Sequence, residues 1–253
     1  MKNIFDLRGK LALIAGGGGD IGLACAKAYG AYGARVLIFD ICAERVERGV
    51  RQLWENGVDA AGWCGDITDP VFLKQLADEI REKYGALDIL MNCAGITNRK
   101  PMLEMSDEEW KAVVDVNLHG VYFLLKEFGK GFCEQKHGKV IQILSTGAYR
   151  FGPNFSSYGA SKAGASALIK SLALEWAPCH IQVNGIAPTA TETNFTRDYY
   201  REHPEKKEAT IRNHPYKRLG TPEEYVGAAI FLASSASDFV NGEVIMVDSG
   251  KTV

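Results

Sequence analysis

Short apolar blocks alternate along this chain with longer stretches in which apolar residues recur every three or four positions. Lys10–Ala15 is the first block, closed by glycine, and reads as a buried strand. After the glycines Gly16 to Gly19, an alanine-rich amphipathic run to Tyr32 predicts a helix. Arg35–Asp40 is a second strand that ends in an acid, and Ala43–Asn56 is a polar, periodic helix. The alternation continues with a strand near Ala60–Gly65, a helix over Pro70–Tyr84 and a strand over Asp88–Asn92. A long helix opens at Ser106, where Ser106-x-x-Glu109 has the form of a capping box, and runs to Lys136 with a bend expected at Gly120. Lys139–Leu144 is a strand, Ser157–Trp176 a helix and Ile181–Ile186 a strand. Ala187–Leu219 shows little periodicity and reads as a loop. Thr221-Pro222-Glu223-Glu224 starts the last helix, with a cap and proline at its first position, and Val244–Val247 is the last strand.

Seven apolar strands alternating with helices predict an α/β fold: one seven-stranded, mostly parallel sheet with helices on both faces. No linker, repeat or low-complexity segment interrupts it, so residues 1–253 read as a single domain. Ligands of such sheets bind beyond the carboxyl ends of the strands, where strand order switches. Candidate chemistry is sought there.

Composition narrows the partners. The net charge is −2 with no basic block, which argues against nucleic acid and anionic membrane surfaces. No signal-peptide pattern opens the chain, and its apolar runs are too short to span a bilayer. Six cysteines without C-x-x-C spacing read as reduced thiols of a cytoplasmic protein, with no metal site.

The first strand, a glycine cluster and a helix start form a candidate phosphate cradle. Two registers fit: Gly17-x-Gly19-x-x-Gly22, and Gly16-x-x-x-Asp20-Ile21-Gly22 with Asp20 where glycine is expected. In the second register Asp20 must point away from the pyrophosphate or weaken its binding. Asp40 ends the second strand 18 residues past Gly22, the place of a carboxylate that accepts from ribose hydroxyls. A 2′-phosphate would meet its charge, and Ile41-Cys42 offers no cation, so the expected cofactor is NAD. Asp66 either accepts from the adenine amino group or shapes an Asx turn.

Tyr158 and Lys162 lie four apart on one helix face. An ammonium one turn from a phenol favours the phenolate and makes the tyrosine a usable general acid/base. Alone, such a pair is an ordinary surface feature. Here Ser145 ends the strand before that helix, 13 residues ahead of Tyr158, and Asn117 lies in the long helix.

With the loop Gly16–Gly22, Asn92-Cys93-Ala94-Gly95, Asn117, Ser145, Tyr158-x-x-x-Lys162, Asn184-Gly185-Ile186-Ala187-Pro188 and Val247-Asp248-Ser249-Gly250, the chain resembles the short-chain dehydrogenase/reductase family over essentially its whole length. The resemblance implies a three-layer Rossmann-type fold and hydride transfer between a nicotinamide and an alcohol or ketone. It implies Tyr158 as general acid/base, Lys162 lowering its pKa and holding the nicotinamide ribose, Ser145 on the substrate oxygen, and Asn117 positioning a water. It places Gly16, Gly19, Asp20, Ile21, Asp40, Asp66, Ile67, Asn92, Ala94, Gly95, Pro188, Thr191 and Thr193 at the cofactor. Residues 94–102 and 231–238 resemble the branch of gluconate 5-dehydrogenases and keto-deoxy-gluconate dehydrogenases. Arg99 and Arg150 are candidates for gripping a sugar-acid carboxylate, with Ser145, Phe155, Tyr149, Phe151 and residues 190–215 completing the pocket. The family also implies a homotetramer. Competing readings are a 3-oxoacyl carrier-protein reductase, which Asp40 and the net charge disfavour, and a non-catalytic dinucleotide sensor.

Overall fold

The structure is a computed structural model that describes residues 3–253; Met1 and Lys2 lie outside the described residues. Its seven strands are β1 (Leu11–Ala15), β2 (Arg35–Asp40), β3 (Ala60–Cys64), β4 (Ile89–Asn92), β5 (Gly138–Ile143), β6 (Ile181–Pro188) and β7 (Val244–Val247). They form one sheet in the order β3-β2-β1-β4-β5-β6-β7, and every neighbouring pair is parallel. The chain starts at β1, builds outward to β3, then returns across β1 to start the other half at β4. The switch point therefore lies between β1 and β4, whose carboxyl ends carry the glycine turn and Cys93-Ala94-Gly95.

Strand alternation sends side chains to two cores. Leu11, Leu13 and Ala15 of β1 pack with α3 (Pro70–Tyr84), α5 (Gly120–Gln135) and α6 (Ser156–Glu175). Ala12 and Ile14 face the opposite layer, made by α1 (Asp20–Ala31), α2 (Ala43–Glu55) and α9 (Val226–Ala233). Both faces of β1 are buried throughout, which is why the strand reads as an unbroken apolar run. No helix among the described residues is long and apolar enough to cross a membrane.

The long central helix is two pieces. α4 (Asp107–Val114) opens on the expected box: Ser106 Oγ accepts from the Glu109 N–H at 3.2 Å and Glu109 Oε2 from the Ser106 N–H at 2.8 Å. A wide turn over Asp115–His119 then separates α4 from α5. The irregularity falls in the turn before Gly120 rather than at Gly120 itself, and Asn117 sits inside it.

The stretch read as a loop is largely helical. β6 runs on to Pro188, and α7 (Asn194–Glu202) and α8 (Pro204–Arg212) follow. Each has nine residues; α7 buries only Thr196 and Tyr200, and α8 buries none. α7 carries apolar or aromatic side chains only at Phe195, Tyr199 and Tyr200, and α8 few besides Ala209 and Ile211, so neither shows a long apolar stripe.

Candidate active site

A cleft of about 770 Å³ lies over the carboxyl ends of the strands. The glycine turn, Asp40, Asp66 and Ile67 line one end; Arg99, Ser145, Phe155 and Tyr158 line the other, with Lys162, Pro188, Thr191, Thr193 and Asn194 also on the walls.

The turn needs glycine at positions of both registers. Gly16 has φ +68°, and a Cβ there would lie 2.6 Å from the Ala94 backbone nitrogen. A Cβ on Gly22 would lie 2.4 Å from the Gly16 carbonyl oxygen, and one on Gly17 2.7 Å from the Ile38 Cβ. Gly19, the N-cap of α1, places no side chain on the first-turn N–H groups, which leaves positive potential for an anion. Asp20, in the first turn of α1, also lines the cleft. Its carboxylate accepts the Asn194 backbone N–H at 2.5 Å and the Asn194 side-chain amide at 3.0 Å.

Asp40 is 6% exposed and accepts the Cys42 N–H at 3.1 Å. Arg45 Nε lies 3.7 Å from the same carboxylate oxygen, and Arg45 and Arg48 both line the cleft. Asp40 therefore has a cation beside it, contrary to the expectation from Ile41-Cys42, because the first turn of α2 folds position 45 back over the strand end. Asp66 makes the Asx turn, accepting the Thr68 N–H at 2.8 Å.

Asn92 is buried and does not line the cleft. It accepts the Ala94 N–H at 3.0 Å and donates to Gln142 at 3.0 Å, which shapes the Cys93-Ala94-Gly95 turn. Asn117 is likewise behind the wall. Its oxygen accepts the Ile96 N–H at 2.9 Å, and its nitrogen donates to the Ile96 carbonyl at 2.8 Å and Ser161 Oγ at 3.1 Å. Both amide hydrogens and one lone pair of the oxygen are used in strapping residue 96 to α6. A Cβ on Gly95 would stand 3.0 Å from Asn117 Oδ1 and 3.2 Å from Lys162 Nζ, which places that amide beside the buried ammonium.

Ser145 and Tyr158 meet in the cleft. The Ser145 hydroxyl accepts the Gly147 N–H at 3.0 Å, and Gly147 lies against both that hydroxyl and the Tyr158 ring. Burial pushes the Tyr158 phenol up from its usual pKa, opposed by the Ser145 hydroxyl and by the Arg99 guanidinium. The Lys162 Nζ lies 5.9 Å from the Tyr158 ring centroid and donates to the Ile143 carbonyl at 3.0 Å. At 4% exposure, burial brings its own pKa down to about 8.

The two arginines separate. Arg99 lies over three rings, at 4.1 Å from the Tyr199 centroid, 4.9 Å from Phe155 and 5.6 Å from Tyr200. Arg150 is exposed, turns away from the cleft and donates to the Lys251 carbonyl, so it is no substrate contact here. Tyr149 also leaves the pocket, its hydroxyl 2.6 Å from Ser166 Oγ, and Phe151 is exposed. The side chains of Thr191 and Thr193 serve the wall itself: Thr191 donates to the Thr189 carbonyl and meets the Tyr225 hydroxyl, while the Thr193 N–H donates to Thr196.

The glycine turn, buried acid and Ser–Tyr–Lys wall fit a nicotinamide dinucleotide. The family model described as enoyl-(acyl carrier protein) reductase matches residues 17–252. The 5-keto-D-gluconate 5-reductase of Escherichia coli is 36% identical over 253 residues, covering 100% of this chain and 99% of that protein. The chain belongs to the short-chain dehydrogenase/reductase family. A 2-dehydro-3-deoxy-D-gluconate 5-dehydrogenase of Formosa agariphila is 34% identical, covering 98% of this chain and 94% of that one. Among solved structures, a gluconate 5-dehydrogenase from Burkholderia cenocepacia in complex with NADP and tartrate superposes with a TM-score of 0.93, at 35% identity, covering 98% of this chain and 97% of that one. This chain is an oxidoreductase of that family, with a nicotinamide dinucleotide as its cofactor.

Proposed function

We propose that the protein is an NAD(H)-dependent dehydrogenase of a sugar acid, interconverting a secondary alcohol and a ketone. The observation that carries this is the Arg99 guanidinium. It lines the cleft with the Tyr158 phenol and the Ser145 hydroxyl, and among the described residues no carboxylate pairs with it. A half-buried cation on aromatic faces, beside a hydroxyl pair, is suited to a carboxylate on a polyhydroxylated chain. Relatives named for gluconate and keto-gluconate substrates support the same class.

The bound nicotinamide supplies or receives the hydride. Tyr158, kept protonated by burial, gives its proton to the carbonyl oxygen during reduction. Ser145 already accepts from Gly147, so its own O–H is free to donate to that oxygen and to the charge that develops there. Lys162 sits behind them on the Ile143 carbonyl, in the position to hold the nicotinamide ribose. Asp40 supports NAD(H) by accepting from the ribose hydroxyls and repelling a 2′-phosphate.

We also propose, as the family resemblance implies, a homotetramer in the cytoplasm.

Reduced cofactor formation over a panel of aldonates and polyols tests the reading, with reduction of an acetoacetyl thioester as a contrast. Aldonates should be the preferred substrates. A thioester turned over better than any sugar acid would overturn it.

A further inference from the structure

Asp20 stands in the first turn of α1, in the cofactor's phosphate cradle, yet its carboxylate is occupied by another helix. It accepts from Asn194, the first residue of α7, through both the backbone N–H at 2.5 Å and the side-chain amide at 3.0 Å. Arg197 Nη1 then donates to Asn194 Oδ1 at 2.6 Å, which fixes that amide from its other side. One carboxylate thus lies between two helix N-termini, where its charge is favoured by both. Farther along α7, Tyr199 and Tyr200 lie against Arg99, at 4.1 and 5.6 Å. The same helix therefore touches the cradle at its start and the proposed carboxylate receptor at its end.

We propose that Asp20 is a positioning residue: a latch that holds α7 over the cleft and so keeps Tyr199 and Tyr200 stacked on Arg99. With the latch shut, α7 covers the passage by which a dinucleotide enters and leaves, so the latch opens for exchange and recloses for chemistry. The latch itself stands on the hydrogen bonds between Asp20 and Asn194; only its consequence for turnover rests on the dehydrogenase reading.

Two variants break it from opposite sides. Asp20→Ala removes the acceptor. Asn194→Pro removes the donated N–H, and proline suits a first helical position that follows an extended residue, as Thr193 is at φ −140° and ψ 166°. Amide hydrogen exchange of the cofactor-free protein reads the latch directly. Loss of a charge-assisted hydrogen bond predicts exchange at residues 198–202 about tenfold faster in both variants, with β1 unchanged. NADH release in stopped flow should accelerate about tenfold in both, and the double variant should be no faster than either single one. Asp20→Asn, which keeps an acceptor oxygen, should fall between wild type and Asp20→Ala.

Unchanged exchange at 198–202 in both folded single variants would overturn the latch. Faster exchange with unaltered NADH release would overturn its link to the cofactor. Faster exchange in a protein that turns over no sugar acid would leave the latch standing and refute the substrate assignment instead.

Discussion

The Lys162 ammonium donates to the Ile143 carbonyl at 3.0 Å and stands 5.9 Å from the centroid of the Tyr158 ring. The pair that spacing joins across one helical turn thus stays together in the folded chain, with the ammonium over the ring. The ammonium also donates to the sheet, and burial, Ser145 and Arg99 act on the phenol. Lys162 is a buried charge kept for function at a cost in stability.

That cost has a pH signature. Burial brings Lys162 down to about 8 in the fold, against about 10.4 in an unfolded chain. Between those values the unfolded chain binds more protons than the folded one, so stability rises with pH across the window. Below about pH 8 the penalty is fully present. Denaturant unfolding of wild type and Lys162→Met should therefore show wild type gaining about 2–3 kcal/mol on the variant between pH 7.5 and 10. A constant difference across that range would mean that Lys162 is not desolvated.

The cofactor end makes a prediction about two opposed charges. Asp40→Ala should raise the NADPH-to-NADH preference by about tenfold or more, because the carboxylate no longer meets a 2′-phosphate. Arg45→Ala added to Asp40→Ala should reverse about tenfold of that gain, since Arg45 reaches to 3.7 Å of the same carboxylate oxygen. Steady-state kcat/KM with both cofactors reads each step. An Asp40→Ala enzyme with unaltered preference would refute the ribose assignment.

At the substrate end, Arg99→Met should raise KM for an aldonate roughly 10- to 100-fold and leave a neutral polyol little affected. Arg99→Lys should not restore it. An ammonium lacks the planar fork that lies over Tyr199 and Phe155 and that meets a carboxylate through two N–H groups. Equal effects on aldonate and polyol would show that Arg99 only shapes the wall.

How far the sequence carried the account depends on what each residue needs. The central strands β1, β2 and β4 were legible to within a residue or two because they are buried on both faces and leave nearly unbroken apolar runs. Ser145, Tyr158 and the glycine turn were legible because their chemistry is tied to strand ends and helix starts. α7 was not, since its nine residues carry apolar or aromatic side chains only at Phe195, Tyr199 and Tyr200. Partners distant in sequence were also beyond reach: Asp20 with Asn194 across 174 positions, and Arg150 with the Lys251 carbonyl across 101. Nor does the local pattern say that Asn117 is committed to Ile96 and Ser161, because a wide helical turn turns it inward.

The most direct test of the central claim is to follow NADH oxidation on 5-keto-D-gluconate by wild type and Tyr158→Phe, with NADH affinity measured on both. The account predicts that the phenylalanine variant binds NADH as wild type does and loses about 10²- to 10⁴-fold in kcat. A variant that binds NADH and turns over at the wild-type rate would contradict it.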